Sequence, residues 1–443
     1  MKVSKGFPSS VSVIGLGYIG LPTATMFASR KVNVVGVDIN QKAVDIINDG
    51  RIHIVEPELD ILVHAVVTEG YLRATTKPEP ADAFLIAVPT PFKNGHVPDL
   101  SYVEAAAKSI APVLKAGDLV VLESTSPVGT TEKMASWLAN ARPDLKFPIP
   151  GVETPDVHVA YCPERVLPGQ VVHELVVNDR IIGGLTAKCA ELAAKVYEVF
   201  VEGQLVRTDA RTAELCKLTE NSFRDVNIAF ANELSIICDR LGINVWELIK
   251  LANHHPRVNI LKPGCGVGGH CIAVDPWFIV DSAPEEARMI RMAREINNDK
   301  PHVVLRWINE AVQSVVVSGK RIEDASIAIL GLAFKPDIDD LRESPALGIA
   351  EKVVSTWSGD LLVVEPNIDE LPASLGSATM VDLRTALNRA DILVTLVAHR
   401  EFAEISRNVR PGVIMVDAVG IRDVENDGSE IIAPWQEARR AIR

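Results

Sequence analysis

One stretch of the chain, residues 262–276, concentrates residue types that could do covalent chemistry. It reads Lys-Pro-Gly-Cys-Gly-Val-Gly-Gly-His-Cys-Ile-Ala-Val-Asp-Pro, with four glycines within six residues. Glycine has no Cβ, so such a loop can turn tightly and approach a ligand closely. A helix beginning after Gly269 would place Cys271 in its first turn, where a thiolate is favoured, and Asp275 one turn further on the same face. This spacing predicts a nucleophilic cysteine, although a glycine loop around a buried, inert cysteine would read the same.

A second candidate group lies in a long helical pattern over residues 210–241. Lys217, Asn221 and Arg224 recur there at positions i, i+4 and i+7, which share one face of a helix. A solvated helix also carries Lys and Arg at this spacing, but asparagine is a poor helix former that gains little from exposure. His255 and Arg257, just before the glycine-rich stretch, add further cationic groups.

The elements that would position these residues begin with a strand–turn–helix–strand pattern over residues 11–40. The first strand enters Gly15-Leu-Gly17-Tyr-Ile-Gly20, and the second ends on Asp38, 23 residues after Gly15. Such glycines allow a tight turn and let the backbone approach a pyrophosphate at the helix N-terminus. The acid accepts hydrogen bonds from a ribose diol and repels a 2′-phosphate. The pattern predicts NAD rather than NADP.

Further strand-like runs end in polar residues. The runs, with the residues that follow them, are 83–88 with Thr90, 119–122 with Thr125, and 157–160 with Glu164 and Arg165. Ligands of parallel α/β sheets gather at the carboxyl ends of the strands, so these side chains are candidates to line the cofactor crevice. The two threonines could equally be loop or capping hydroxyls.

The remaining third of the chain predicts a second, smaller parallel α/β unit. A helical region over residues 281–319 precedes strand-like runs at 326–330, 361–364, 391–397 and 413–417. Residues 391–397 resemble residues 82–88, which suggests a paired architecture. The unit lacks the glycine fingerprint, so it need not bind a dinucleotide. Lys335 and Arg342, after its first strand, could hold phosphate or carboxylate oxygens.

Composition limits the classes of function. The chain has 443 residues, 47% of them hydrophobic, and a net charge of −13. This charge argues against nucleic acid or an anionic membrane surface as a partner. We expect no transmembrane helix, no signal peptide in residues 1–10 and a cytoplasmic location. The six cysteines lack zinc-ligand spacing, so we expect reduced thiols and no metal site.

Taken together, these motifs make the chain resemble the nucleotide-sugar 6-dehydrogenases of the UDP-glucose/GDP-mannose dehydrogenase family from Val11 to about Gly420. The shared motifs are Gly15–Gly20 with Asp38, Val88–Pro91, Glu123–Gly129, Lys217 with Asn221, Gly268–Cys271 with Asp275, and Gly331–Lys335 with Arg342. Residues 221–233 and 255–259 are most similar to members that act on UDP-N-acetyl-D-mannosamine. UDP-glucose dehydrogenases usually carry a lysine where this chain has Val274.

The resemblance implies the architecture and the reaction. It implies a Rossmann-type NAD domain over residues 1–209, a central long-helix dimerisation region with the cysteine loop over 210–319, and a C-terminal Rossmann-like domain for the nucleotide sugar over 320–443. The implied activity is the oxidation of a C6 hydroxyl of a UDP-N-acetylhexosamine to the carboxylate with two NAD, for synthesis of a cell-envelope polysaccharide. The implied assembly is a homodimer in which Arg257 reaches the neighbouring active site.

The resemblance also implies roles for individual residues. Cys271 is the expected nucleophile, Lys217 and Asn221 stabilise the oxyanion, and Glu164, Asp275 and Thr125 position or activate the hydrolytic water. The expected cofactor contacts are Gly15, Gly17, Tyr18, Ile19, Gly20, Asp38, Thr90, Thr125 and Arg342. The expected substrate contacts are Arg165, Val166, Lys217, Asn221, Arg224, His255, Arg257, Gly268, Phe334 and Lys335.

Other functions remain open from the residues alone. A two-domain hydroxy-acid dehydrogenase also combines a dinucleotide fold with a Lys-x-x-x-Asn helix, but it has no use for Cys271. A regulator that binds NAD or a nucleotide sugar would not need Lys217, Asn221 and Cys271 together. Within the family, UDP-GlcNAc and UDP-GalNAc are the alternative substrates.

Overall fold

The computed structural model describes residues 7–421, except 55, 57, 94, 167, 168, 270, 404 and 406–408. His270 of the glycine-rich stretch and the end of the predicted C-terminal domain therefore lie outside the described residues. The chain divides into two compact units. The first comprises Met1–Glu220 with Trp277–Pro284, and the second comprises Asn221–Pro276 with Glu285–Arg443.

In the described part of the first unit, eight strands form one sheet in the order β10-β9-β8-β7-β4-β1-β2-β3. The strands, with the small hairpin β5–β6, are β1 (Ser10–Ile14), β2 (Asn33–Val37), β3 (Leu72–Thr75), β4 (Ala83–Ile86), β5 (Phe92–Lys93), β6 (Val97–Pro98), β7 (Leu119–Leu122), β8 (His158–Tyr161), β9 (Arg180–Gly184) and β10 (Leu205–Asp209). The helices between them are α1 (Gly20–Ser29), α2 (Gln41–Asn48), α3 (Leu59–Thr68), α4 (Ser101–Ile110), α5 (Thr130–Ala141), α6 (Val171–Val177) and α7 (Ala187–Tyr197).

Both faces of this sheet are buried. In β7, Leu119 and Val121 pack into one apolar cluster, whereas Val120 and Leu122 pack into another. Alternate residues of a strand point to opposite faces, so helices must cover both sides of the sheet, as the crossovers of a parallel sheet require. One pairing differs from the expected parallel arrangement, because β8 and β9 run antiparallel. The start of β9 therefore lies at the edge of the sheet where β7 and β8 end.

The second unit joins long helices to a smaller sheet with the strand order β13-β12-β11-β14-β15, in which all pairings are parallel. The strands are β11 (Ser326–Leu330), β12 (Asp360–Val364), β13 (Thr379–Met380), β14 (Ile392–Thr395) and β15 (Ile414–Asp417). The remaining helices of the chain are α8 (Ala210–Leu241), α9 (Val245–Ala252), α10 (Asp275–Ser282), α11 (Arg288–Val317), α12 (Pro345–Thr356) and α13 (Leu383–Arg389). Helices α8 and α10 each cross a boundary between the two units.

The α/β prediction is confirmed, and the bounds predicted for α8, β7 and β11 match those observed. The expected helical region over 281–319 is divided, because α10 ends at Ser282 and α11 begins at Arg288. No helix in the described part of the chain combines the length and the apolar character needed to cross a membrane.

The first turns of the two sheets are built alike. The backbone N–H of Gly15 donates to Val37 O at 2.8 Å, and that of Gly331 donates to Val364 O at 2.9 Å. Both glycines have positive φ, 92° and 89°, a conformation that side chains with a Cβ rarely adopt. The strand order around these turns is also shared, which places the carboxyl ends of the central strands at one edge of each sheet.

Candidate active site

The turn after β1 fits a bound pyrophosphate. A Cβ at Gly20 would lie 1.7 Å from Gly15 O, so only glycine allows α1 to start this close to the strand. At Gly17, by contrast, no described atom lies within 4 Å of the place that a Cβ would take. Helix α1 is capped by Ile19, whose side chain has no acceptor, and Tyr18 beside it is exposed. The turn thus offers backbone N–H groups at a helix N-terminus and space in front of them.

Asp38, the predicted ribose ligand, follows β2 at the carboxyl edge of the sheet. Its Oδ2 accepts a hydrogen bond from Leu16 N and its Oδ1 from Asn40 N, both at 2.9 Å. These bonds fix the half-buried carboxylate at the carboxyl end of β2, and each oxygen retains a lone pair that can accept from a ribose hydroxyl. The residues of this edge therefore fit NAD.

The corresponding acid of the second unit, Glu365, is enclosed instead. Its Oε2 accepts from Leu332 N at 2.6 Å and lies 3.1 Å from His399 Nε2. The His399 Nδ1 accepts from Asp337 N, so the proton on Nε2 is donated to Glu365. Burial favours a higher pKa for Glu365, but these hydrogen bonds outweigh it and lower the pKa to about 2. His399 thus takes up an acceptor position on the Glu365 carboxylate.

Two of the predicted threonines are brought together in the first unit. The hydroxyl of Thr90, after β4, donates to Thr125 O, after β7, at 2.6 Å. Because β4 and β7 are neighbours, their following loops meet at the carboxyl edge of the sheet. Their contact with a cofactor stays a prediction.

The loop after β8 holds a pair of oppositely charged neighbours, each tied to a partner. Glu164 Oε2 accepts from Arg180 Nη2 at 2.8 Å. The guanidinium of Arg165 pairs with Glu220 on α8 at 2.6 Å. Val166 is half-buried and packs against the core of the first unit. Lys217, three residues before Glu220 on α8, is half-buried.

In the second unit, Asn221 and Asp275 are in direct contact. The Nδ2 of Asn221 donates to Asp275 Oδ2 at 2.5 Å, and Asp275 is almost fully buried. The backbone N–H of Asp275 donates to Cys271 O at 2.9 Å, while the Cys271 side chain is exposed. The structure therefore joins an exposed thiol, a buried carboxylate and an amide that orients it.

The position of Cys271 differs from the sequence expectation in one respect. Helix α10 begins at Asp275 and not directly after Gly269, so Cys271 lies in the turn that precedes the helix. Proline is favoured in the first turn of a helix because it has no N–H to donate, and Pro276 fixes the start there. Cys271 and Asp275 are nevertheless linked across four residues, by the backbone hydrogen bond from Asp275 N to Cys271 O.

The glycines before Cys271 are required by close packing. A Cβ at Gly268 would lie 2.4 Å from Glu343 O and 2.8 Å from Phe334 Cβ. Gly269 has a φ of +79°, and a Cβ built on it would lie 3.0 Å from the Phe334 ring. Phe334, predicted as a substrate contact, thus lies against the cysteine loop.

The start of this loop is held by a buried polar network that the motifs did not reveal. Asn232 Oδ1 accepts from Gly264 N, and its Nδ2 donates to Asn297 Oδ1, both at 2.9 Å. Asn297 donates in turn to Asp225, which pairs with Arg294 at 2.6 Å. An asparagine in the middle of a helix was the available signal for Asn232, because it is a poor helix former that must gain elsewhere.

Five other predicted residues are exposed. They are Arg224, His255, Arg257, Lys335 and Arg342. The Arg342 guanidinium pairs with Asp340 at 2.6 Å, and the N–H of Arg257 donates to His255 Nδ1 at 3.3 Å. Their ligand contacts stay predictions.

Sequence models of one family match three consecutive parts of the chain. They describe the NAD binding domain of the UDP-glucose/GDP-mannose dehydrogenase family over residues 9–201, its central domain over 211–299 and its UDP binding domain over 328–424.

Characterised relatives extend over nearly the whole chain. A UDP-N-acetyl-D-mannosamine dehydrogenase of Campylobacter jejuni is 64% identical over 401 residues, which cover 90% of this chain and 97% of the relative. An NDP-N-acetyl-D-galactosaminuronic acid dehydrogenase of Ralstonia nicotianae is 62% identical over 412 residues, which cover 93% and 96%. The solved structure of a UDP-D-ManNAc dehydrogenase from Pyrococcus horikoshii is 41% identical, with a TM-score of 0.84, and the match covers 96% of this chain and 100% of that one.

Proposed function

Since the chain belongs to the UDP-glucose/GDP-mannose dehydrogenase family and is an NAD-dependent nucleotide-sugar dehydrogenase, we propose that its substrate is UDP-N-acetyl-D-mannosamine. The product is UDP-N-acetyl-D-mannosaminuronate. The reaction consumes two NAD+ and one water, and it forms the carboxylate, two NADH and three protons. The relative from C. jejuni, which carries this activity in its name, supports the choice of substrate.

The observation that carries the proposed chemistry is the contact of Asn221 with Asp275 beside the exposed Cys271. An exposed thiol can attack an aldehyde, and a covalent thiohemiacetal keeps the half-oxidised sugar bound for the second oxidation. NAD+, when bound at the Gly15–Gly20 turn, would supply the hydride acceptor for both oxidations. The second oxidation turns the thiohemiacetal into a thioester on Cys271, which water then hydrolyses.

We assign the remaining predicted residues to catalysis, cofactor binding and substrate binding. Lys217 and Asn221 stabilise the developing oxyanion, and Lys217 relays protons. Glu164, Asp275 and Thr125 position or activate the hydrolytic water. The cofactor is held by the Gly15–Gly20 turn, Asp38, Thr90, Thr125 and Arg342. The nucleotide sugar is bound by Arg165, Val166, Arg224, His255, Arg257, Gly268, Phe334 and Lys335.

The active form proposed here is a homodimer. Phe223, Phe230 and Ile237 recur every seven residues on α8 and are 71%, 51% and 46% exposed in the single chain. Residues seven apart lie on one face of a helix, so this apolar stripe is suited to packing against a second copy. In such a dimer Arg257 contributes to the neighbouring site.

Domain roles and location complete the proposal. Residues 1–209 bind NAD, residues 210–319 dimerise and carry the cysteine loop, and residues 320–443 bind the nucleotide sugar. The six cysteines are thiols rather than disulfides, which supports a cytoplasmic enzyme that serves a cell-envelope polysaccharide pathway.

A second candidate substrate is the galacto-configured sugar UDP-GalNAc, because the relative from R. nicotianae is named for the corresponding uronic acid. UDP-GlcNAc is the remaining hexosamine alternative. The test is a panel of the purified enzyme with UDP-ManNAc, UDP-GalNAc, UDP-GlcNAc and UDP-glucose, counting NADH formed per sugar consumed. We expect two NADH and the highest kcat/KM with UDP-ManNAc. A ratio of one would exclude the four-electron reaction, and a higher kcat/KM with another sugar would replace the proposed substrate.

A further inference from the structure

A buried guanidinium lies directly beneath Glu164. Arg180 is the first residue of β9 and is 3% exposed, and its Nη2 donates to Glu164 Oε2 at 2.8 Å. The other oxygen, Glu164 Oε1, accepts from the backbone N–H of Arg165 at 2.8 Å. Each oxygen of the Glu164 carboxylate therefore accepts a hydrogen bond from the protein.

The Arg180 guanidinium packs against two aromatic rings. Its guanidinium carbon lies 4.7 Å from the centre of the Tyr197 ring and 5.5 Å from that of Phe200. An arginine packed against two aromatic rings has few alternative rotamers, and cation–π attraction stabilises its charge. Its Nη1 is 3.9 Å from Cys162 Sγ. This packing leaves the Nη2 aimed at Glu164.

A second carboxylate, Glu123, completes the cluster. It follows β7, is fully buried, and its Oε1 accepts from the Tyr197 hydroxyl at 2.6 Å. Burial raises the pKa of Glu123 to about 7. One guanidinium thus lies near two carboxylates, and it forms an ion pair with Glu164. The titratable groups that face one another here are Glu123, Cys162, Glu164, Arg180 and Tyr197.

We propose that Arg180 is the positioning residue for Glu164 in the hydrolysis of the thioester. This inference rests on the proposed function, in which Glu164 acts on the hydrolytic water. Arg180 contacts neither substrate nor water in this proposal. It orients the Glu164 carboxylate, so that a lone pair on it accepts the proton of water.

The hydrolytic step balances with these groups. The water oxygen forms a bond to the thioester carbon while one water proton passes to Glu164. The bond from that carbon to Sγ then breaks, and the Cys271 thiolate takes up the proton held by Glu164. The C6 carboxylic acid loses the second water proton to solvent, and the sugar leaves as its carboxylate. No electrons are exchanged in this step, because both oxidations precede it.

Without Arg180, the Glu164 carboxylate would lose the hydrogen bond that fixes its Oε2. The two oxidations need no base at Glu164 and should continue. Hydrolysis should slow, because a carboxylate that can rotate is not held in position to accept a proton from water.

The experiment compares wild type with Arg180→Met, Arg180→Lys and Glu164→Gln by stopped-flow measurement of NADH and mass spectrometry of the enzyme. For Arg180→Met we expect a rapid burst of two NADH per site, then steady-state turnover lowered roughly 10- to 100-fold at pH 7. This loss reaches the lower end of the roughly 10²- to 10⁴-fold contribution of an acid–base group, because the base itself is kept. The sugar thioester should accumulate on Cys271. Arg180→Lys should recover most of the rate, and Glu164→Gln should show the same burst.

Two controls separate this role from a structural one. Arg142→Met removes a guanidinium that binds Ala111 O and Leu114 O at 2.7 and 2.8 Å, and it should change neither burst nor steady state. Glu123→Gln removes the other carboxylate near Arg180, and it should keep the wild-type burst and steady state if Arg180 acts through Glu164.

The proposal is overturned if burst and steady state fall together, if no thioester accumulates, or if turnover is unchanged. If Arg180→Met does not fold, Arg180→Lys decides by the same criteria, with a smaller drop expected. Failure of the proposed function looks different, because wild type would then form fewer than two NADH with every UDP-sugar.

Discussion

Replacing Cys271 by serine should separate chemistry from stability. The side chain is exposed, and the backbone bond from Asp275 N to Cys271 O does not involve the sulfur. We therefore expect the free energy of unfolding to change by less than about 0.5 kcal/mol, with NAD+ and UDP-sugar binding retained. A hydroxyl is a much weaker acid than a thiol, and an ester is a poorer acyl donor to water than a thioester. Loss of the nucleophile should lower turnover roughly 10³-fold or more.

Cys265, in the same loop, is the matched control with the opposite expected outcome. It is buried in the apolar core of the second unit, its thiol donates to Leu396 O at 3.5 Å, and burial raises its pKa to about 12. Cys265→Ser places a hydroxyl there with poorer hydrogen-bond geometry, which costs about 1–3 kcal/mol. The melting temperature should fall by roughly 2–12 °C, whereas NADH stoichiometry stays at two.

The assay measures thermal unfolding, ligand binding and NADH per sugar for both variants, with mass spectrometry for covalent adducts. The serine variant at position 271 can accumulate an adduct, since an ester hydrolyses slowly. Two NADH per sugar at near wild-type rate in Cys271→Ser would exclude covalent catalysis at this residue. Equal losses of activity in both variants would indicate that the loop is only structurally sensitive.

Three further predictions concern cofactor, sugar and core. Asp38→Ala should raise the KM for NAD+ about tenfold or more, because a hydrogen-bonded charged group is lost, and should lessen discrimination against NADP+; equal use of both cofactors by wild type would contradict this role. Arg224→Ala should lower kcat/KM for UDP-ManNAc about tenfold more than for UDP-glucose, as expected for a residue that reads the acetamido group, whereas equal losses would assign it to a shared phosphate. Burial lowers the pKa of Lys300 to about 7, so the unfolded state binds more protons between about pH 7 and 10.5. Lys300→Met should therefore raise the free energy of unfolding below pH 7, by up to about 5 kcal/mol before the lost contacts with Ser235 and Trp307 are subtracted. In urea unfolding series at increasing pH, this gain in stability should fall. A gain that does not vary with pH would refute the buried charge.

The geometry of the turn after β1 could be predicted from local sequence. The turn after β1 depends on contacts between residues close in the chain, such as Gly15 with Gly20, and on one acid at the end of β2. Short-range steric constraints of this kind leave a fixed spacing of glycines. The same logic located Cys271 and Asp275, which are joined by a single helical hydrogen bond.

The similarity of residues 82–88 and 391–397 was a short signal of a larger correspondence. Asp82 accepts from Ser9 N and Ser10 N at the start of β1, and Asp391 accepts from Ser326 N at the start of β11. Sequence could not extend the match, because strand cores accept any apolar residue of suitable size. The correspondence becomes visible only as shared strand order and shared hydrogen bonds.

The sequence alone determined the α/β class, the NAD fingerprint, the long helix α8 and the identities of the chemical groups. Local periodicity and steric rules specify these features. Only the tertiary structure decided three hydrogen bonds: that of His399 to Glu365, that of Gly264 N to Asn232, and that of Arg180 to Glu164. Each of these contacts joins residues from separate elements, and Arg180 reaches Glu164 because β9 runs antiparallel to β8. Strand direction and side-chain approach depend on the packing of the whole unit, which no local spacing records.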